Sequence, residues 1–449
     1  MAGEQKGGEP VAEVRYKTRP LEARNQARDL RSRFYQDLMR AREDGKLLVS
    51  GGMRAPYEFL AGFGDFECLS EHFSNTVSLD QDVAQRYNEA FEARGYAQDF
   101  CALSRLYLGA MFAGETPWGP FPPPDLCFMF HACDIQGKWF QVVSEHYGIP
   151  YFCLEQPVDY PPDPAKRQHN IRYLTEQLQA FIDWGERVLG RRFDDSRFME
   201  AALNSLEVQS LWAEVCCLNR AVPAPLDDRS LYALESIACL MRHKPEAVAF
   251  YRALRDEVRE RVRDGIAALA TERYRLMHDN QPPFYWLAIY KVPEQYGAVA
   301  IGSHTSFTLM GAFEEGEDGR LRARHHPRQQ GLTFRTRDDL IQYLAGWYTD
   351  TPFYEDIILP QTRLTNTLRF VEEWGVDGVV IHLNRGCEGV TAGAPELKQA
   401  LRERGIPVTV YEANYVDRRD LSQSQVVDTL ETFLESQGLK KLSTLAGQP

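Results

Sequence analysis

Two hydrophobic rhythms take turns along this chain, and the changes between them outline its elements. Residues 20–43 place Leu30, Phe34, Leu38 and Met39 on one stripe, which predicts an amphipathic helix after a polar, Gly-rich start (1–15) expected to be disordered. Residues 45–51 form a short apolar run bounded by glycines and read as a strand, and Pro56 suits the first turn of a following helix. Asp99 is placed to cap a helix from about 100 to 111, with Cys101 in its first turn. An apolar strand then runs to His131. Asp134 caps a helix whose face carries Ile135, Trp139, Val142, Val143 and Tyr147, and Gly148 stops it. Residues 156–164 are proline-rich. From about 166 to 278 the pattern is helical, with no strand alternation. Strand character returns at 284–289 and 297–301, a polar loop (acidic, then basic) spans 314–330, and 421–433 is a terminal helix.

Within this order one module occurs twice. The first copy reads Asp125-Leu-Cys-Phe-Met-Phe-His131-Ala-Cys133-Asp134, a helical stretch, then Gly148-Ile-Pro-Tyr-Phe-Cys-Leu-Glu155. The second reads Asp377-Gly-Val-Val-Ile-His382-Leu-Asn-Arg-Gly-Cys387, a helical stretch, then Gly405-Ile-Pro-Val-Thr-Val-Tyr-Glu412. Each presents a thiol at the carboxyl end of a strand, where open parallel sheets place their chemistry. The fold class is therefore α/β: two Rossmann-like parallel-sheet domains joined by a helical segment, with an N-terminal helical extension. The expected divisions are 1–44, 45–165, 166–278 and 279–449.

At 449 residues the chain suits two domains plus helical extras. A net charge of −13 excludes a general nucleic-acid binder, which needs a basic face. No run of about 18 apolar residues suggests a membrane span. The N-terminus lacks an apolar signal core, so a cytoplasmic location is expected. Nine cysteines without a C-x-x-C pair disfavour a disulfide framework, a zinc ribbon or a thioredoxin-like motif. No phosphate-cradling G-x-x-x-x-G-K-[ST] occurs, so any ATP is expected on a partner.

Cys101, Cys133 and Cys387 are each predicted at a turn after a strand or at the opening of a helix, where amides favour thiolate. Thiolates from distant segments can hold an iron–sulfur cluster. A free cysteine is also commonly a small buried hydrophobe, and wide spacing alone leaves both readings open. Cys127 and Cys153 lie within strands, and Cys216, Cys217 and Cys239 on helical stretches. His131 and His382 occupy matching strand ends. They read as proton donors, as hydrogen bonds tuning a cluster, or as structural histidines. Arg320, Arg322, Arg324 and Arg328 suit either a solvated run or phosphate contacts.

Taken in order, these segments resemble the 2-hydroxyacyl-CoA dehydratase D-component superfamily, which includes the catalytic subunits of ATP-dependent benzoyl-CoA reductases. The resemblance rests on Gly45-Lys-Leu-Leu-Val with Pro56-Tyr-Glu58, on Asp99-Phe-Cys101-Ala-Leu-Ser-Arg105, and on His131-Ala-Cys133-Asp134. It continues through Glu272-Arg-Tyr-Arg-Leu, Trp286, Glu294-Gln-Tyr-Gly297-Ala298, Cys387, Gly405-Ile-Pro and residues 417–425, covering roughly 45–435. The long N-terminal helix and helical middle are most similar to the larger benzoyl-CoA reductase subunit. The resemblance implies Cys101, Cys133 and Cys387 as ligands of a [4Fe-4S] cluster, with a larger double-cubane cluster in some relatives. It further implies a homologous second subunit, a separate ATPase with its own cluster, reduced ferredoxin as ultimate donor and an aryl-CoA substrate. The alternatives are a 2-hydroxyacyl-CoA dehydratase component or a non-catalytic relay subunit. Gln136-Gly137-Lys138 and the 314–330 loop depart from the family pattern and leave the substrate open.

Overall fold

Each half of the chain builds one four-stranded, all-parallel sheet, and the two sheets share the same strand order. The computed structural model describes residues 15–131, 133–158, 163–351 and 356–442, so nearly all of the start expected to be disordered lies outside them. In the first sheet β1 (Leu47–Gly51), β2 (Phe66–Leu69), β3 (Leu126–His131) and β4 (Tyr151–Glu155) lie in the order β2-β1-β3-β4. In the second, β5 (Tyr274–His278), β6 (Ala298–Ser303), β7 (Gly378–Asn384) and β8 (Val408–Ala413) lie in the order β6-β5-β7-β8. The order reverses between β1 and β3 and again between β5 and β7. Loops leaving the carboxyl ends of such strand pairs diverge and open a crevice.

Helix α1 (Glu22–Arg40) buries Ala23, Ala27, Leu30, Phe34, Tyr35 and Leu38, which confirms the predicted stripe except at Met39, which is only half-buried. Helices α2 (Gln81–Glu92), α3 (Ala102–Ala113) and α4 (Asp134–Tyr147) belong to the first half. The helical middle comprises α5 (Pro164–Leu189), α6 (Asp195–Leu218), α7 (Asp228–Met241) and α8 (Pro245–Arg263). Helix α9 (Arg337–Thr349), although it follows β6 in the chain, packs against α5 and the core of the first sheet, with Tyr348 edge-on to Phe130 of β3. Helices α10 (Pro360–Glu373), α11 (Ala394–Glu403) and α12 (Gln423–Ser436) belong to the second half. Among the described residues no helix is long and apolar enough to cross a membrane.

Four details differ from the sequence reading, each for a local reason. Residues 284–289 are not a strand but part of a 3-10 helix, Phe284–Tyr290. Two prolines precede it, and Phe284 stacks between Tyr232 and Tyr415 instead of pairing edgewise. Strand β5 lies inside the stretch read as helical. Arg275 through His278 are all buried, so this strand shows no alternation. Strand β2 was hidden by Glu67, which is buried and held by Lys46 at 3.0 Å and Lys244 at 2.9 Å. The first half of the 314–330 loop belongs to an antiparallel hairpin pairing Phe313–Glu315 with Leu321–Ala323.

Candidate active site

Three cysteines open helices at the carboxyl side of the sheets. Cys101 is the N-cap of α3, Cys133 the N-cap of α4, and Cys387 precedes the short helix Glu388–Thr391. The N-cap position, rather than the predicted first turn, gives Cys101 the free amides of the helix start. Amides of Leu103 and Ser104 favour its thiolate, those of Ile135 and Gln136 favour that of Cys133, and Val390 favours that of Cys387. Burial acts the other way and dominates: all three thiols are pushed up, Cys133 to about 12. Cys101 lies within electrostatic reach of Cys133, and both lie within reach of Cys387, so the fold brings the three cysteines into one neighbourhood.

Two contacts enforce that convergence. Gly386 has φ +74°, and a Cβ there would lie 2.7 Å from the Phe100 carbonyl oxygen, so only glycine lets the Cys387 turn press on the segment before Cys101. Arg105 of α3 is 1% exposed and donates to Asp417, a residue beyond β8 that is 4% exposed at its side chain. Asp417 also pairs with Arg419, which reaches Glu92 at the end of α2. A buried ionic clasp thus ties the two halves beside the cysteine loops.

Around the thiols lies a buried polar wall. Glu71 follows β2 and accepts hydrogen bonds from the Met53 amide and the Gln136 side chain. Gln136, one of the departures from the family pattern, therefore holds an acid. Burial raises the Glu71 carboxyl to about 7, and its charge reaches both Cys101 and Cys133. On the other side Tyr415 is within electrostatic reach of Cys387 and donates to Asn280. Helix α7 spans the two sheets. Its Asp228 accepts from Tyr290 at 2.7 Å and Ser306 at 3.0 Å and faces His278 at 3.1 Å, while Arg242 just beyond its end donates to the Met53 and Ala55 carbonyls. Between these ends Glu235, whose carboxyl burial and the nearby Asp228 charge push well above the usual carboxylate range, accepts from Gln281 at 3.3 Å. Ser70 Oγ, Glu235 Oε1 and Asn280 Nδ2 are buried without a hydrogen-bond partner. Buried polar atoms left open in this way fit a polar ligand or ordered water.

The sequence profile described as 2-hydroxyglutaryl-CoA dehydratase, D-component, matches residues 53–436. The chain belongs to this family. It is 28% identical to a benzoyl-CoA reductase subunit from Thauera aromatica over 366 residues, 77% of this chain and 78% of that one. It is 23% identical to the (R)-phenyllactyl-CoA dehydratase alpha subunit of Clostridium sporogenes over 93% of this chain and 96% of the relative. The (R)-2-hydroxyglutaryl-CoA dehydratase alpha subunit of Acidaminococcus fermentans is 22% identical over 71% and 61%. The chain is thus a component of the 2-hydroxyacyl-CoA dehydratase and benzoyl-CoA reductase type, and its relatives are named as subunits, which supports a partner subunit.

Within this family member the two strand-end histidines stand in different settings. His382 is fully buried and stacks on Tyr411, with centroids 4.8 Å apart. Its Nδ1 lies 2.6 Å from the Gln281 carbonyl oxygen, and desolvation lowers it to about 4. It is therefore neutral near pH 7 and donates to the loop that carries Asn280. His131 is half-buried, with Nδ1 2.8 Å from Glu155 and Nε2 3.4 Å from Asp134. Sequence reasoning missed Glu71, Glu235, Asn280 and Tyr415. Ser70-Glu71-His72 at the end of an apolar run was the one available signal, and the unread β2 concealed it. Of the loop arginines, Arg320 donates to the Glu373 carbonyl and Arg324 pairs with Asp350.

Proposed function

We propose that this chain is the catalytic subunit of an ATP-dependent iron–sulfur aryl-CoA reductase, which dearomatises benzoyl-CoA to a cyclohexadiene-carboxyl-CoA. The observation that carries the reading is the meeting of three helix-capping thiols from both halves of the chain. Three soft donors with helix-start amides behind them fit a [4Fe-4S] cluster. Cys101, Cys133 and Cys387 are the proposed ligands. When bound, such a cluster supplies single electrons at low potential to a thioester-activated acyl group.

The chain's own residues orient, dry and protonate. Reduction by two electrons also consumes two protons, so an acid must stand within hydrogen-bond reach of the ring. Glu71 is the best-placed group: it is buried, raised by burial to about 7, and within electrostatic reach of two of the thiols. His382 acts as a neutral positioning residue, and His131 is engaged by carboxylates at both ring nitrogens. A homologous subunit and a separate ATPase with its own cluster, fed by reduced ferredoxin, complete the enzyme. The two halves shield the site from water, as a strongly reducing centre requires.

The phenyllactyl-CoA dehydratase alpha subunit, 23% identical but aligned over 93% of this chain and 96% of its own length, favours a second reading, in which the substrate is a 2-hydroxyacyl-CoA and the electron is recycled. The anaerobically purified complex, given ATP and a reductant, is assayed with benzoyl-CoA and with (R)-phenyllactyl-CoA. Diene formation from the first supports the reductase. Dehydration of the second, without net electron consumption, replaces it with the dehydratase.

A further inference from the structure

The carboxyl ends of β3 and β4 carry a second donor set that the proposed cluster does not use. His131 pairs in register with Glu155, and Cys153 stands two residues before Glu155 on the same face of β4. One ligand atom from each of His131, Cys153 and Glu155 lies within 4.8 Å of the other two. His131 and Cys153 are half-buried and Glu155 is exposed, so solvent reaches one side. The Glu155 backbone is fixed from both sides by Gln177 of α5, whose amide donates to its carbonyl at 3.0 Å and accepts from its N–H at 2.8 Å.

We propose that His131, Cys153 and Glu155 form a binding site for a zinc-class divalent cation, separate from the three-cysteine centre. One nitrogen, one sulfur and one carboxylate oxygen suit a borderline-soft ion, whereas calcium and magnesium take oxygen ligands. Zinc bond lengths of about 2.0–2.3 Å place tetrahedral donors about 3.3–3.7 Å apart, so the widest pair closes in by at most about 1.5 Å while His131 Nδ1 and Glu155, now 2.8 Å apart, open by about half an ångström. The fourth position faces solvent and takes water. Asp134 lies 3.4 Å from Nε2 of His131, on the ring edge opposite Nδ1. This exposed carboxylate sits close enough to draw a proton to Nε2 once the metal takes Nδ1, the role a carboxylate plays behind a zinc-bound histidine. The thiol of Cys153, pushed up to about 11 by burial, gives up its proton on binding, so affinity rises with pH.

The duplicated module shows that this site is not the cluster chemistry repeated. In the second copy Val410 stands where Cys153 stands in the first, and Glu412 is paired with Arg385. Only the first half carries the donor set. Because His131 lies two residues before Cys133, the cation would stiffen the turn that carries that cysteine.

The test uses the full chain with Cys101→Ser, Cys133→Ser and Cys387→Ser, titrated anaerobically with Co²⁺ and then with Zn²⁺. The expected result is about one equivalent of cobalt with a thiolate-to-cobalt charge-transfer band, displaced by zinc. Adding Cys153→Ser removes the band, and Asp134→Asn weakens binding by about 10–100-fold. If the triple variant does not fold, zinc-edge absorption of iron-loaded wild-type protein reads the same site as one sulfur among nitrogen and oxygen. A spectrum without sulfur, or one unchanged by Cys153→Ser, overturns the proposal. Iron content of the wild type is a separate measurement, so neither result bears on the cluster ligands.

Discussion

Asp417→Asn is the most discriminating single change in the molecule. Arg105 is 1% exposed and spends Nε on Asn88 at 3.2 Å, Nη1 on the Gln98 carbonyl and Nη2 on Asp417. Without the Asp417 charge its nearest carboxylate is Glu92 at 4.0 Å. Leaving a buried charge uncompensated costs about 3–5 kcal/mol. Arg105→Met is milder, because Asp417 keeps Arg419 at 2.7 Å and the main loss is the partner of buried Asn88, about 1–3 kcal/mol. The double variant should cost less than the sum, with a coupling of about 0.5–3 kcal/mol. Urea unfolding of the four proteins, followed by circular dichroism, measures the cycle. pH gives a second handle. Burial alone would raise the Asp417 carboxyl, but the bonds from Arg419 and the charge of Arg105 more than reverse this, so it lies below its ordinary value. A depressed carboxylate stabilises the fold above its unfolded value of about 3.9 and loses that contribution as pH falls through the folded value. The gap between wild type and Asp417→Asn should therefore close in acid. Equal costs for the two single variants, or strict additivity, would refute the clasp.

The remaining predictions concern the site and its packing. Single Cys101→Ser, Cys133→Ser and Cys387→Ser changes should each sharply lower iron content measured after anaerobic reconstitution, whereas Cys216→Ser, at a fully buried helix position, should not. Glu71→Gln should retain iron and lower turnover by about 10²–10⁴-fold, the usual worth of a positioned acid; unchanged turnover moves the proton donor elsewhere. Gly109→Ala should destabilise by about 1–3 kcal/mol or more, since its Cβ would sit 2.0 Å from the Tyr87 carbonyl oxygen where α3 crosses α2, and thermal melting reads this directly.

The sequence by itself determined the local rules: the α1 stripe, the glycine stop after α4, the strand ending at His131, and a repeat whose two copies became sheets of one strand order. It also marked the three cysteines, because a cysteine opening a helix has a local signature. What it did not carry was everything that depends on burial from both sides or on contacts between distant segments. Strand β5 lost its alternation because both faces are covered, and β2 contains a buried glutamate that only Lys46 and Lys244, far apart in sequence, make tolerable. The role of Gln136 appears only once Glu71 is beside it, and the Arg105–Asp417 clasp joins residues from opposite halves of the chain. Periodicity reports which face of an element is apolar; it holds no record of which polar groups the fold will close upon one another. That pairing, with the desolvation that moves Glu71 towards neutrality and keeps His382 uncharged, exists only in the tertiary structure.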